Sequence, residues 1–302
     1  MNVVSITLAI AAGIAAIATV AAPGAEQGYR VRQITRPPAD LSLDPFYARY
    51  VDALGIPVTS SDKVPDEALL RARDIVIEMM AERPDIRRAL VRQHTRIAIM
   101  AIDEGTVDLP EQRDWKKPTA DDPRLSICER KHYGERIGRL SDREYWNGRA
   151  RGMGGTLTSG AAENLMAVPG TRYFGENIFV HEFAHDIMAG IEAADPALLG
   201  RIRRAYDAAM TAGKWKGEYG AVTVEEYWAE GTQFWFNSNK IVIVDGRKIL
   251  SDADLAGYDV ALYNVLEEVY GAGRHRLAAD AFHLHPARVP AGPLPAATAE
   301  RC

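Results

Sequence analysis

The sequence predicts an α+β protein that is mostly helical and contains a small mixed sheet. Apolar residues recur with helical period in four segments: 177–190, 195–212, 223–236 and 252–271. Two shorter runs rich in β-branched residues, 96–102 and 241–244, have the length of strands instead. The 302 residues are 47% hydrophobic and 25% charged, which is ordinary for a globular protein and excludes a disordered or fibrous chain.

The first 25 residues are predicted to be a targeting segment. No charged residue occurs from Val3 to Ala22, a stretch long enough to cross a bilayer. Small residues dominate this stretch, and Ala21, Ala22 and Ala25 offer a cleavage site. We therefore prefer a secretory signal over an uncleaved N-terminal anchor. Either alternative places the remaining chain outside the cytoplasm, as a secreted, periplasmic or membrane-anchored protein.

The segment that follows is expected to lead into the folded part of the chain. Residues 26–44 are polar, contain two consecutive prolines and are predicted to be extended. Residues 45–54 have the pattern of a short helix that ends at Gly55, and a longer helix begins at Pro65 and is stopped by Pro84. The sequence thus predicts an N-terminal helical extension.

The rest of the chain shows no internal repeat and no second type of composition. We expect a single domain over residues 45–285, followed by a disordered Pro/Ala-rich tail over 286–302. Residues 141–160 are rich in Gly and Arg, but they contain neither G-x-G-x-x-G nor a following Gly-Lys-Ser/Thr. They are predicted to be a loop that leads into a short strand over 163–168, and not a nucleotide-binding loop.

Charge and cysteine content exclude several classes of function. The net charge is −5, from 36 basic and 41 acidic residues, so nothing indicates a nucleic-acid partner. The two cysteines, Cys128 and Cys302, are too few for a Cys-rich zinc or iron–sulfur site. In an oxidising compartment they could pair and pin the tail to the domain, or Cys302 could stay free. The G-x-S-x-G pattern of many serine hydrolases does not occur.

His181-Glu182-Phe183-Ala184-His185 is an H-E-x-x-H pattern within a predicted helix. Positions i and i+4 lie on one helix face, so both imidazoles can bind one ion, and neutral imidazole suits Zn²⁺. The apolar flanks keep helical phase and predict that this helix packs into the core, where buried imidazoles need partners. Hydrogen bonds alone could also satisfy them, but a zinc ion is the preferred interpretation, with Glu182 beside it.

A catalytic zinc needs a third protein ligand and an open position. Glu225, Glu226 and Glu230 all compete for this role in the helical segment 223–236. Thr223 and Glu226 also match a capping box, in which Glu226 would only serve the start of the helix. Asp186 or Glu230 could orient a ligand histidine, although Asp186 could equally be a solvated helix residue.

The residues that follow the H-E-x-x-H motif point to a particular family of metallopeptidases. H-E-F-A-H is followed by Tyr219-Gly220, then by Glu226-Tyr227-Trp228 and Ala229-Glu230, a combination that resembles the anthrax lethal factor-type metallopeptidases of the gluzincin clan. The similarity covers roughly residues 160–240. The resemblance implies a zincin-like metallopeptidase domain whose active-site helix carries HEFAH, in a small stand-alone peptidase and not a toxin. It implies Zn²⁺ held by His181, His185 and Glu226, with Glu182 as the general base and Tyr219 as the oxyanion donor.

The sequence therefore predicts a zinc-dependent peptide-bond hydrolase. Glu182 would take a proton from the zinc-bound water, while the metal and the Tyr219 hydroxyl hold the oxyanion. A peptide or protein substrate would bind in extended form along strand 163–168. The alternative is a zinc-binding but non-catalytic interaction module, which the intact Glu182 disfavours. A membrane-tethered partner-binding protein rests on residues 3–22 alone, and only that segment, if uncleaved, would contact a membrane.

Overall fold

The computed structural model describes residues 33–123 and 125–302. The predicted targeting segment over 1–25 and the first part of the lead-in lie outside the described residues, so both stay predictions. Within the part of the chain that is described, no helix is long and apolar enough to span a bilayer.

The centre of the fold is a four-stranded mixed sheet. Its strands are β1 (Arg49–Ala53), β2 (Ile56–Ser60), β3 (Arg96–Met100) and β4 (Leu157–Ala161), in that spatial order. β1 is antiparallel to β2, whereas β2–β3 and β3–β4 are parallel pairs. Strands β5 (Val242–Val244) and β6 (Arg247–Ile249) form a separate antiparallel ribbon. The small mixed sheet and the strands expected within 96–102 and 241–244 are thus present.

Helices surround the sheet and supply most of the regular structure. They are α1 (Asp66–Met79), α2 (Pro84–Arg92), α3 (Ile127–Lys131), α4 (Asp142–Arg149), α5 (Ala162–Leu165), α6 (Ile178–Ala194), α7 (Pro196–Thr211), α8 (Val224–Trp235), α9 (Asp252–Tyr258) and α10 (Val260–Tyr270). Short 3₁₀ turns include Thr106–Asp108 and Tyr219–Ala221. The four predicted helical segments are confirmed, although the last divides at Asp259, whose side chain caps α10.

Helix α6 lies at the centre of the packing that positions the site. It packs against α2, α8 and strand β4. Phe183 of α6 and Trp228 of α8 are fully buried in the largest apolar cluster, which includes side chains from Val51 to Leu277. The Trp228 indole N–H also donates to the carbonyl oxygen of Ala184 at 2.9 Å. Burial and this hydrogen bond together hold α8 against α6.

The predicted helix over 45–54 is wrong, so of the predicted N-terminal helical extension only the longer helix that begins at Pro65 is present, as α1. Residues 49–53 form β1, which turns directly into β2. Leu54 and Gly55 make this turn with φ of 56° and 93°, and the Gly55 N–H donates to the Asp52 carboxylate at 3.0 Å. Pairing with β2 gives the backbone N–H and C=O groups of residues 49–53 the hydrogen bonds that a helix would have formed within itself.

The predicted strand over 163–168 is also wrong. The strand is β4, which ends at Ala161, and the chain then forms the short helix α5. This turn directs Asn164 to the start of α6, where its carboxamide oxygen accepts a hydrogen bond from the Ile178 N–H at 2.9 Å. After Ala161 the chain therefore leaves the sheet, and Asn164 instead anchors the start of the site helix α6.

The C-terminal tail has little regular structure but makes defined contacts, unlike the predicted disordered segment. Arg288 is buried and donates to the Asn239 carbonyl oxygen at 2.6 Å. Thr298 accepts the Ile243 N–H at 2.7 Å. Cys302 forms a disulfide with Cys128, so of the two alternatives for the cysteines the structure contains the pair. The disulfide therefore anchors the tail to the domain, although the Pro/Ala-rich composition of the tail predicts disorder.

Candidate metal centre

Helix α6 presents its two histidines on one face. The helix begins after Asn177, whose side-chain oxygen accepts the Val180 N–H at 3.2 Å. His181 is buried, His185 is half-buried, and their ring centres lie 5.0 Å apart. One helical turn therefore separates two imidazoles that point into the same region.

Glu226 brings a carboxylate from α8 to these imidazoles. Its Oε2 atom lies 3.0 Å from His181 Nε2 and 3.6 Å from His185 Nε2. One ligand atom from each of the three residues lies within 4.8 Å of the other two. The Glu226 backbone N–H donates to Thr223 Oγ1 at 3.2 Å, so the residue takes part in the N-cap through its main chain. Thr223 therefore caps the helix, while the Glu226 carboxylate, which a capping box would use, contacts the two histidines instead.

The donor set fits a zinc ion. Tetrahedral zinc with ligand bonds of about 2.0–2.1 Å holds its donor atoms roughly 3.3 Å apart. The two measured separations from Glu226 Oε2, 3.0 and 3.6 Å, lie on either side of that value. Two imidazoles and one carboxylate are also the ligands of catalytic zinc sites that keep a position open. His181, His185 and Glu226 could therefore hold a metal ion.

Gln233 orients His181, a role that the sequence analysis missed. Its side-chain oxygen lies 3.0 Å from His181 Nδ1, while its amide nitrogen donates to the Asn177 carbonyl oxygen at 2.8 Å. Because the Gln233 oxygen can only accept, Nδ1 carries the proton and Nε2 is left free to bind a metal. Gln233 follows Glu226 by two helical turns on α8, and this spacing is the signal that could have identified it.

Of the two residues proposed to orient a histidine, only Glu230 lies beside one. Its Oε1 atom is 3.6 Å from His181 Nδ1, and its Oε2 atom accepts from Asn239 at 2.7 Å. Asp186 is buried and accepts hydrogen bonds from the Gly155 N–H and the Thr158 hydroxyl. It is therefore neither solvated nor bound to a ligand histidine, because Gly155 and the β4 residue Thr158 hydrogen-bond to its carboxylate. The third competitor for the ligand role, Glu225, is exposed.

Glu182 and Tyr219 complete the group of predicted site residues. Glu182 follows His181 on α6 and is half-buried. The Tyr219 hydroxyl donates to Glu226 Oε1 at 3.0 Å, and its ring centre is 6.2 Å from that of His181. Half of the Tyr219 side chain remains exposed. A tyrosine hydroxyl thus reaches the carboxylate of the candidate metal centre from a surface accessible to other molecules.

The carboxylates give this centre a strongly negative potential. Burial disfavours a charged His181, but the hydrogen bond to Glu226 and the charges of Glu182 and Glu230 outweigh it and raise the pKa of His181 to about 10. Burial raises the pKa of Glu182 and brings the pKa of Glu230 to about 7. Burial also acts to raise the pKa of Glu226, but His181 and His185 hold it well below its usual value. A positive charge is thus favoured among these side chains.

Comparisons with known proteins add little to this geometry. A scan against protein-family models and a search of curated protein sequences gave no match. Among solved structures, the chain is similar to the Pro-Pro endopeptidase PPEP-2 from Paenibacillus alvei, with 13% identity and a TM-score of 0.40. The similarity covers 66% of this chain and 90% of that chain. A score this low does not establish a common fold, so the residues of the site carry the functional argument.

Proposed function

We propose that this protein is a zinc-dependent peptide hydrolase of the gluzincin type, with a zincin-like fold related to that of the lethal factor-type peptidases. The observation that carries the proposal is the convergence of His181, His185 and Glu226 on one small volume, with Glu182 on the same helix as the histidines. A structural zinc site usually has four protein ligands. Three ligands beside an additional carboxylate favour catalysis.

Glu182 is the proton carrier of the proposed reaction. Bound zinc would supply Lewis-acid chemistry, polarising the scissile carbonyl group and lowering the pKa of a water molecule. Glu182 accepts the proton of the attacking water and passes it to the leaving amine as the peptide bond breaks. Burial raises the pKa of this carboxyl group, which favours holding the proton between the two steps.

Tyr219 is proposed to stabilise the charge that develops on the carbonyl oxygen. Its hydroxyl lies 3.0 Å from Glu226 Oε1, and its ring is half exposed, so a substrate can approach it. Burial of the hydroxyl and the charge of Glu226 raise the pKa of Tyr219, so the group keeps its proton. A neutral hydroxyl can donate a hydrogen bond to an oxyanion without itself becoming charged.

A peptide or protein is the proposed substrate. A cavity beside His185 has Met188, Ala189 and Leu199 in its wall and the charged residues Glu192, Arg203 and Glu225 around them. Such a cavity, with both apolar and charged lining residues, suits one amino-acid side chain of an extended peptide. We propose no nucleic-acid substrate, because the net charge of −5 opposes binding to phosphates.

We also propose that the protein acts outside the cytoplasm. The disulfide between Cys128 and Cys302 supports this location, because structural disulfides persist mainly in oxidising compartments. The apolar stretch over residues 3–22 would supply the export signal or the anchor.

The proposal is tested by measuring bound zinc and peptide cleavage on the same protein. We expect about one zinc per chain, lost in His181→Ala, and cleavage of a mixed peptide library that stops when a chelator is added. Glu182→Gln should retain zinc and lose cleavage by about 1000-fold or more, because the amide cannot accept the proton. The matched control is Glu135→Gln, an exposed glutamate outside both the candidate metal centre and the cavity.

Each part of the proposal has an outcome that contradicts it. A protein that binds no zinc would end the metal assignment. A zinc-loaded wild type that cleaves no peptide would favour the non-catalytic binding module instead. A fully active Glu182→Gln variant would remove Glu182 from the role of base.

A further inference from the structure

The Gly-rich segment 141–160 is predicted to be a loop, but residues 142–149 form α4 and residues from 157 belong to β4. The part between them lies directly against the site helix. Met153 forms an isolated antiparallel bridge with Ser159 of β4, through hydrogen bonds of 3.3 and 2.8 Å between their backbone groups. Met153 therefore pairs with the edge strand β4, and its neighbours Gly152 and Gly154 lie against α6. We call residues 152–155, Gly-Met-Gly-Gly, the glycine brace.

Two glycines of the brace have no room for a side chain. A Cβ atom at Gly152 would lie 2.9 Å from Cγ of Glu182. A Cβ atom at Gly154 would lie 2.7 Å from Cβ of His185 and 3.0 Å from the backbone oxygen of Glu182. Neither glycine has positive φ, in contrast to Gly155 with φ of 134°. The need for glycine at 152 and 154 is therefore one of space. The neighbours include the proposed base and a proposed ligand, and at Gly152 also Ile178, whose Cγ2 atom is equally close at 2.9 Å.

Both ends of the brace are tied to the surrounding structure. At its C-terminal end the Gly155 N–H donates to Asp186 Oδ1 at 3.3 Å, and the Thr158 hydroxyl donates to the other oxygen of the same carboxylate. Asp186 is buried and directly follows His185 on α6. At its N-terminal end the Arg151 guanidinium donates to Glu163 at 2.7 and 3.0 Å. The contacts at the C-terminal end tie the brace to the site helix α6, and those at the N-terminal end tie it to α5.

We propose that the glycine brace is a positioning element of the active site: Gly152 sets the side chain of Glu182, and Gly154 sets that of His185. The inference rests on the proposed function and deepens it. The two contacts have separate consequences, because Glu182 carries the proton whereas His185 binds the metal.

The separate consequences allow a sharp experiment with three alanine variants of the full-length protein. Gly154→Ala should weaken zinc binding by about 10-fold or more, because a displaced His185 cannot keep its bond to the metal. Gly152→Ala should bind zinc within about 2-fold of wild type but lower kcat by about 10-fold or more with little change in KM, because misplaced catalytic groups slow the chemical step. Gly148→Ala is the control, since a Cβ atom there meets nothing within 4 Å.

Zinc affinity is measured by competition with a chromogenic chelator, and kcat and KM on the best library peptide. If an alanine variant fails to fold, Thr158→Val replaces it, because this change loosens the Asp186 anchor without adding bulk. That variant should lower kcat several-fold with zinc retained, and unchanged kcat in it would overturn the proposal. The proposal also fails if Gly154→Ala and Gly152→Ala match Gly148→Ala in zinc affinity and kcat. A wild type that binds zinc but cleaves nothing overturns the proposed function alone. In that case, weaker zinc binding by Gly154→Ala than by Gly148→Ala still shows that the brace positions His185, and equal binding shows that it does not.

Discussion

At the scale of single residues, Glu226 shows how one position can serve helix and site together. Its backbone N–H caps α8 through Thr223, and its carboxylate faces His181 and His185. Spacing alone could not separate these roles, because a capping box also places a glutamate at this position. In the structure the main chain of Glu226 serves the cap, and its carboxylate is available to the histidines.

Gln233→Met tests the orientation of His181. Methionine fills a similar volume but lacks the amide oxygen that accepts the hydrogen bond from Nδ1–H. The ring therefore loses the partner that fixes its tautomer. We expect zinc affinity to fall about 10- to 100-fold. Chelator competition measures the change, and Gln93→Met, at an exposed position, should leave affinity at the wild-type value. Equal affinities in both variants would show that Gln233 does not orient the ligand.

Tyr219→Phe tests the oxyanion role. The change removes one hydroxyl and leaves the half-exposed ring, so we expect kcat to fall about 100-fold while KM and zinc content stay near wild type. Steady-state kinetics and metal analysis give the three quantities. Tyr50→Phe in β1 removes a hydroxyl far along the sheet from β4 and is the control. A purely structural Tyr219 would instead change KM, zinc content or stability.

Asp186→Asn tests the pH dependence of stability. Burial raises the pKa of Asp186 from 3.8 to about 8. Between these values the folded protein binds a proton that the unfolded chain releases, so this residue makes the free energy of unfolding fall as pH rises. The variant lacks this titration, and its stability should decline less between pH 4 and pH 8. Urea denaturation of metal-free protein measures the difference; Asp207→Asn, at an exposed position, should follow wild type.

At the scale of elements, the site depends on how α6 and α8 meet. The ligands lie in the N-terminal half of α6 and in the first turn of α8, and Asn177 and Thr223 cap the starts of these helices. Trp228 of α8 is fully buried and donates to the backbone of α6. Local capping thus sets where each helix starts, and core packing sets the distance between the two starts.

Thr223→Ala tests the start of α8. Losing the hydrogen bond from the Glu226 N–H should destabilise the protein by about 1 kcal/mol and loosen the first turn that carries a ligand. We expect a lower urea midpoint together with weaker zinc binding. Thr223→Ser keeps the accepting oxygen and should restore both. If alanine lowers stability but leaves zinc affinity unchanged, the cap does not position Glu226.

At the scale of the whole molecule, the tail joins two distant parts of the chain near the site. Cys302 is bonded to Cys128, Glu300 pairs with Arg136 at 2.7 Å, and Thr298 donates to Glu218 at 2.9 Å. Glu218 immediately precedes Tyr219. The last residues therefore link the segment around Cys128 to the turn that carries the proposed oxyanion donor.

Cys302→Ser tests this link. Losing the disulfide should lower the free energy of unfolding by about 2–4 kcal/mol, because the unfolded chain is no longer constrained. Urea denaturation measures the loss. Wild type treated with a reductant should match the variant, and the reductant should not affect the variant. Equal stability of oxidised wild type and Cys302→Ser would show that the tail adds nothing to the fold.

The sequence by itself determined the elements with strong local signals. H-E-x-x-H in helical phase, the period of α7 and α8, and the β-branched runs of β3 and β5 were all identified, because these patterns depend on neighbours within a few residues. The predictions for short elements were wrong because their structure depends on distant residues. Residues 49–53 and 162–165 take their structure from pairing partners and anchors elsewhere in the chain.

Only the tertiary structure decided which groups act on the predicted site residues. Three kinds of contact join residues that are distant in sequence. Gln233 orients His181, the Gly155 N–H binds the Asp186 carboxylate, and Gly152 and Gly154 lie against α6. Such contacts depend on how helices and strands pack, and packing is set by the whole core. The chemistry of a metal centre can therefore be recognised locally, whereas its positioning depends on long-range contacts.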